Sequence, residues 1–150
     1  MIRKLAAFGT VLALGAMMLG TSLTSASAGT SEEIRFRAIT TEATNLDLGE
    51  EGPSLGDEYV FHDVLKRDGE KIGHDGGVCT ITSVKGMELQ CLVTVYLSGG
   101  QITLQGLATD GQEFVFAVTG GTDQYQGASG EARVVIRSET VARVTINLVA

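Results

Sequence analysis

The chain has 150 residues, 43% of them apolar, with 20 glycines, one proline, two cysteines, no tryptophan, 11 basic against 18 acidic side chains and a net charge of −7. That length holds one domain with one sizeable core. The acidic balance argues against nucleic acid and anionic membrane surfaces as partners, because both would be repelled. Many glycines and alternating apolar residues point to a turn-rich β domain, not a helical bundle.

Residues 1–28 read as a cleavable signal peptide: Arg3 and Lys4 form a basic start, Leu5 to Leu23 an apolar stretch, and Ala26-Ser27-Ala28 a small-residue cleavage site. Gly9, Gly15, Gly20 and the Thr/Ser run after Leu19 leave that stretch too short and too interrupted for a membrane anchor. No cysteine follows it, which argues against a lipid anchor. The expected product is a secreted, extracellular protein beginning near Gly29, with residues 29–150 forming a single domain.

Strand signals then follow one another. Ile34–Thr41 alternates, placing Ile34, Phe36 and Ala38 on one face. Glu42–Leu55 is acidic, carries Pro53, and reads as a loop with at most a short strand or turn. Asp57–Lys66 puts Tyr59, Phe61, Asp63 and Leu65 on one face and Val60, His62 and Val64 on the other. Asp68-Gly69 signals a tight turn. Strand-like runs continue at Lys71–Ser83, Met87–Leu97, Gln101–Thr109, Glu113–Thr119, Gly130–Ser138 and Val141–Leu148. Sequential hairpins of this kind bury their apolar faces by stacking as a sandwich or closing as a barrel, and the pattern alone does not choose. An eight-stranded barrel would enclose room for side chains or one small ligand.

The two cysteines allow one intramolecular pairing, and an exported protein favours it. Pairing Ser83 with Met87 across Val84-Lys85-Gly86 sets Cys79 directly opposite Cys91, at a separation a disulfide accepts.

Other motifs read as structural. Gly120-Gly121 precedes no Gly-Lys-Ser/Thr, so it is a corner that needs positive φ or close backbone approach, not a phosphate cradle. Gly73-His74-Asp75-Gly76-Gly77 resembles turn chemistry, and two adjacent ligand types make no metal signature. His62 should face outward, and Arg133 and Arg137 should lie on a solvated strand face. The two histidines sit beside turns or on outward faces, so no nucleophilic triad assembles and hydrolase chemistry is not expected. No metal or cofactor is expected.

From Gly56 to about Leu148 the chain resembles the allene oxide cyclase and dirigent superfamily, and in particular its bacterial exported barrel-like members. The resemblance rests on Gly56-Asp57, Val60-Phe61-His62-Asp63, Ile72-Gly73 leading to Gly77-Val78-Cys79, Gly100-Gln101-Ile102 with Gln105-Gly106, and Ala117 to Thr122 with Gly127 and Gly130. It implies an all-β fold, a closed eight-stranded antiparallel barrel with an apolar cavity, and a possible dimer or trimer. The polar set of the plant cyclase is not retained: Ala38, Thr40, Ala108 and Asp63 stand at four of its positions, and only Cys79 is kept.

The residue singled out is Asp63. It shares a strand face with Tyr59 and Phe61, and it matches an aspartate of the Val-Phe-Asp-Asp run of dirigent proteins. A carboxyl in an apolar cavity resists ionisation and can serve as a general acid, although an ion pair or a bulge cap would explain it equally. The expected cavity wall comprises Tyr59, Phe61, Cys79, Leu104, Ala108, Phe114 and Phe116. The resemblance implies an isomerase-like protein that binds an apolar unsaturated molecule and steers its cyclisation. The alternatives are a non-catalytic guide or carrier, or a barrel filled by its own side chains.

Overall fold

The computed structural model describes residues 31–149, so the signal-peptide segment lies outside the described residues. The alternating runs form eight antiparallel strands: β1 (Glu32–Leu46), β2 (Glu58–Arg67), β3 (Glu70–Ser83), β4 (Glu88–Leu97), β5 (Gly100–Ala108), β6 (Glu113–Gly121), β7 (Ser129–Ser138) and β8 (Val141–Val149). Each strand pairs with its successor, and β8 pairs back onto β1, closing a barrel with no free sheet edge. One 3-10 turn, Asp123–Tyr125, bridges β6 and β7.

Three expectations are corrected. β1 does not stop at Thr41 but runs on to Leu46, because a bulge between Thr40 and Glu42 inserts one residue and pairing with β2 resumes as Ala43↔Phe61 and Asn45↔Tyr59. The stretch Gly73–Gly77 is not a turn but the middle of β3, paired on both sides, with His74 opposite Tyr96 and Asp75 opposite Asp63. The β3–β4 hairpin sets Cys79 opposite Cys91 as expected, and the two are bonded, but a bulge shifts its end so that Ser83 meets Glu88 and not Met87.

The Gly120-Gly121 corner combines both requirements foreseen for it. Gly120 sits at φ 154°, and a side chain at Gly121 would press on the Gln101 and Tyr125 carbonyl oxygens, each 2.6 Å away.

The interior is divided lengthwise. Toward the end carrying the β2–β3 turn it is packed solid, with Leu65, Ile102, Ala132 and Ile146 fully buried beside Ile34, Phe36, Val95 and Leu97. Toward the other end it opens. Two glycines help keep it open: a Cβ on Gly77 would stand 2.6 Å from the Phe61 ring, and one on Gly106 would stand 2.6 Å from the Phe116 ring. Each ring therefore lies against the neighbouring strand's bare backbone instead of projecting across the barrel.

Candidate active-site cavity

The open half encloses a cavity of about 400 Å³. Leu89, Ala108, Ser138 and Glu139 line it beside the β3–β4, β5–β6 and β7–β8 turns, which places its mouth at that end of the barrel. Its walls are largely apolar and aromatic. Tyr59 and Phe61 stack on β2 with ring centroids 5.6 Å apart, and Phe114 and Phe116 stand nearly parallel on β6, 6.3 Å apart. In a ring of eight strands β2 and β6 lie diametrically opposite, so the two aromatic pairs face one another across the space.

Of the residues expected on the wall, Tyr59, Phe61, Cys79, Ala108, Phe114 and Phe116 line this cavity, as does Asp63. Leu104 does not. It lines a smaller chamber of about 70 Å³ together with Ala38, Asp75, Val95 and Val144. Phe61, Asp63, Val93 and Phe116 belong to both spaces, so Asp63 stands where the two meet. Cys91, bonded to Cys79, completes the wall on β4.

Asp63 has a partner that the sequence reading missed. Asp75 lies directly across from it on β3, and both are buried, at 7% and 4% exposure. Burial pushes the Asp63 carboxyl above its ordinary value, against the opposing pull of the Thr40 hydroxyl, a hydrogen bond with Asp75 and the nearby His62 charge. Burial, reinforced by the Asp63 charge, pushes Asp75 up to about 8. At neutral pH Asp75 therefore holds a proton and donates it toward Asp63, since two like charges this close do not both ionise in an apolar wall. One oxygen of each, Oδ1, has no hydrogen-bond partner in the protein. Burial also raises the Tyr59 hydroxyl, helped by the Asp63 charge, so Tyr59 remains a donor.

Sequence reading also missed Asn45, which reaches the cavity because the β1 bulge restores its inward direction, and the rim residues Ser138 and Glu139. His62 stays outside the barrel. Its Nδ1 lies 3.2 Å from Thr41 Oγ1, and its ring stacks on His74, which stacks on Tyr96. Arg133 is exposed and pairs with Glu113, and Arg137 is exposed. No group of three or more metal-ligating side chains occurs among the described residues.

The sequence profile of the allene oxide cyclase barrel-like domain matches residues 37–148. The chain belongs to this family. Among solved structures it is similar to a pyocyanin demethylase, with 28% identity, a TM-score of 0.72, and coverage of 78% of this chain and 99% of that one. It also superposes on a pterocarpan synthase dirigent protein (16% identity, TM-score 0.68, 91% of this chain and 98% of that one). A third similar structure is an exo-specific intermolecular Diels-Alderase (17% identity, TM-score 0.65, 80% and 98%). The latter two likenesses establish the fold alone. No protein of curated function matches the sequence.

Proposed function

We propose that this member of the allene oxide cyclase barrel-like family is an exported small-molecule barrel that binds an apolar unsaturated ligand and steers its cyclisation. The observation that carries the reading is the Asp63–Asp75 pair, buried where the aromatic cavity meets the packed core. The names of its structural neighbours support it, since they describe a demethylation, a pterocarpan synthesis and a Diels–Alder addition of small organic molecules.

The opposed aromatic pairs hold a flat or folded conjugated ligand in one conformer and so remove orientational freedom from the barrier. Asp63, ionised at the cavity face beside protonated Asp75, takes a proton from the ligand as the new bond begins to form, so that the pair briefly holds two protons and neither carboxyl is left charged beside the other. It then returns that proton to an oxygen or carbon of the ligand that has gained electron density, so no net proton is consumed. Tyr59 donates a second hydrogen bond toward the same region, and the apolar walls keep bulk water from trapping the reactive form.

A guide or carrier without chemistry is the second reading. It is favoured by Ala38 and Ala108, which stand where the plant cyclase places polar groups and leave those walls bland.

Native mass spectrometry against a panel of conjugated metabolites identifies a bound ligand, and chromatography of the released ligand shows whether it has been converted. With a converted ligand, Asp63→Asn is expected to reduce turnover by about a hundredfold or more while leaving affinity nearly intact. Undiminished turnover in Asp63→Asn would remove the proton role, and release of unchanged ligand by the wild type would establish the carrier. Export predicts that protein recovered from the medium begins near Gly29.

A further inference from the structure

At the end of the barrel opposite the cavity mouth, the outer surface carries a groove of about 450 Å³ lined by Arg35, Arg37, Lys66, Arg67 and Arg143 around the Asp68-Gly69 turn. These are five of the nine basic side chains that follow residue 28, gathered on one face of a chain with 18 acidic ones. The register makes the cluster more pointed. Arg37 lies directly opposite Arg143 on one side and directly opposite Lys66 on the other, so three cations form one row across β8, β1 and β2.

Like charges directly opposed on neighbouring strands destabilise a sheet, and little in the protein offsets this row. Among the described residues only Arg35 of the five forms an ion pair, with Glu33 at 2.8 Å. Residues 1–30 contain no acidic side chain that could supply another. Arg67 is held in place by donating from Nε to the Arg35 carbonyl oxygen at 2.9 Å, which fixes its guanidinium beside the row. Adjacent strands lie about 4.8 Å apart, so the row spans roughly 10 Å, the reach of a few neighbouring anionic groups.

We propose that this groove is a second binding site, separate from the cavity, for a compact ligand carrying two or more phosphate-type anions. Arginine forks match phosphate oxygens in pairs. The acidic remainder of the surface would repel a long polyanion or an anionic bilayer laid across it, so the fit is to a small ligand.

The test is calorimetric titration of the secreted protein with inorganic pyrophosphate at low ionic strength, beside inorganic phosphate and sedimentation with phosphatidylglycerol vesicles. Saturable one-to-one binding of pyrophosphate is expected, with phosphate weaker by about tenfold and no pelleting with vesicles. Arg37→Gln should weaken pyrophosphate by about tenfold, the size of one charged hydrogen bond. Arg137→Gln, exposed on β7 and outside the groove, should leave it within about twofold by charge alone. Absence of saturation, or equal loss in the two variants, would overturn the site. Vesicle pelleting abolished by Arg37→Gln would replace it with a membrane contact. Ligand-free Arg37→Gln should also melt no lower than the wild type, since it relieves repulsion, and a lower melting temperature would show that the row is structural.

Discussion

The barrel places like charges face to face across neighbouring strands in two regions, and it resolves the conflict differently in each. Inside, Asp63 opposes Asp75 in an apolar wall; outside, Arg143, Arg37 and Lys66 line up in the solvent-facing surface. A carboxyl denied water escapes its neighbour by keeping a proton, so the interior pair becomes a store of acid poised near neutrality. Arginine cannot shed its proton within any ordinary pH range, and water and salt must screen the exterior row instead. The same register therefore yields a proton-handling device where the wall is dry and an anion-attracting strip where it is wet.

The largest expected effect breaks the interior half. Asp75 titrates near 8 in the folded chain against an ordinary 3.8, so the folded state holds an extra proton between those values. Its contribution to stability is full below about pH 4 and is lost as the pH climbs toward 8. The urea midpoint should therefore fall across that window and level off above it, and Asp75→Asn should flatten the decline. A wild-type midpoint that does not fall between pH 5 and 8 would mean the pair is not dry.

A smaller effect sharpens the interior further. Gly77→Ala places a methyl group against the Phe61 ring, which must swing toward the cavity. A loss of about 1–3 kcal/mol is expected from denaturant unfolding, with weaker ligand uptake. The smallest effect belongs to the exterior. Arg37→Gln should gain roughly a few tenths of a kcal/mol at low salt, a gain that vanishes in high salt as screening replaces it. A gain independent of salt would show that the row was costing something other than charge.

Most of the fold was legible because strands with one buried face must alternate, and seven of the eight strand runs end within two residues of where alternation placed them. The eighth shows the limit. The bulge near Thr41 reverses the parity of β1, so the acidic, broken pattern beyond it read as loop and Asn45 went unseen. Closure of β1 onto β8 is a long-range pairing that no local pattern encodes; the family resemblance implied it. Asp63 was visible because Tyr59, Phe61 and Leu65 mark its face. Asp75 was hidden among glycines, which carry no side chains to report a period and which favour turns in most sequences. The signal that would have found it is the spacing Gly73, Asp75, Gly77, Cys79, every second residue running up to a cysteine already assigned inward.

The bare backbone at Gly77 and Gly106 has a consequence over generations. The room for a guest is set by what these two positions lack. A single-nucleotide change to alanine at either glycine would push an aromatic ring toward the cavity and, at Gly77, would also press on the Leu92 carbonyl oxygen 2.9 Å away, so the chamber narrows only at a cost to the β3–β4 ladder.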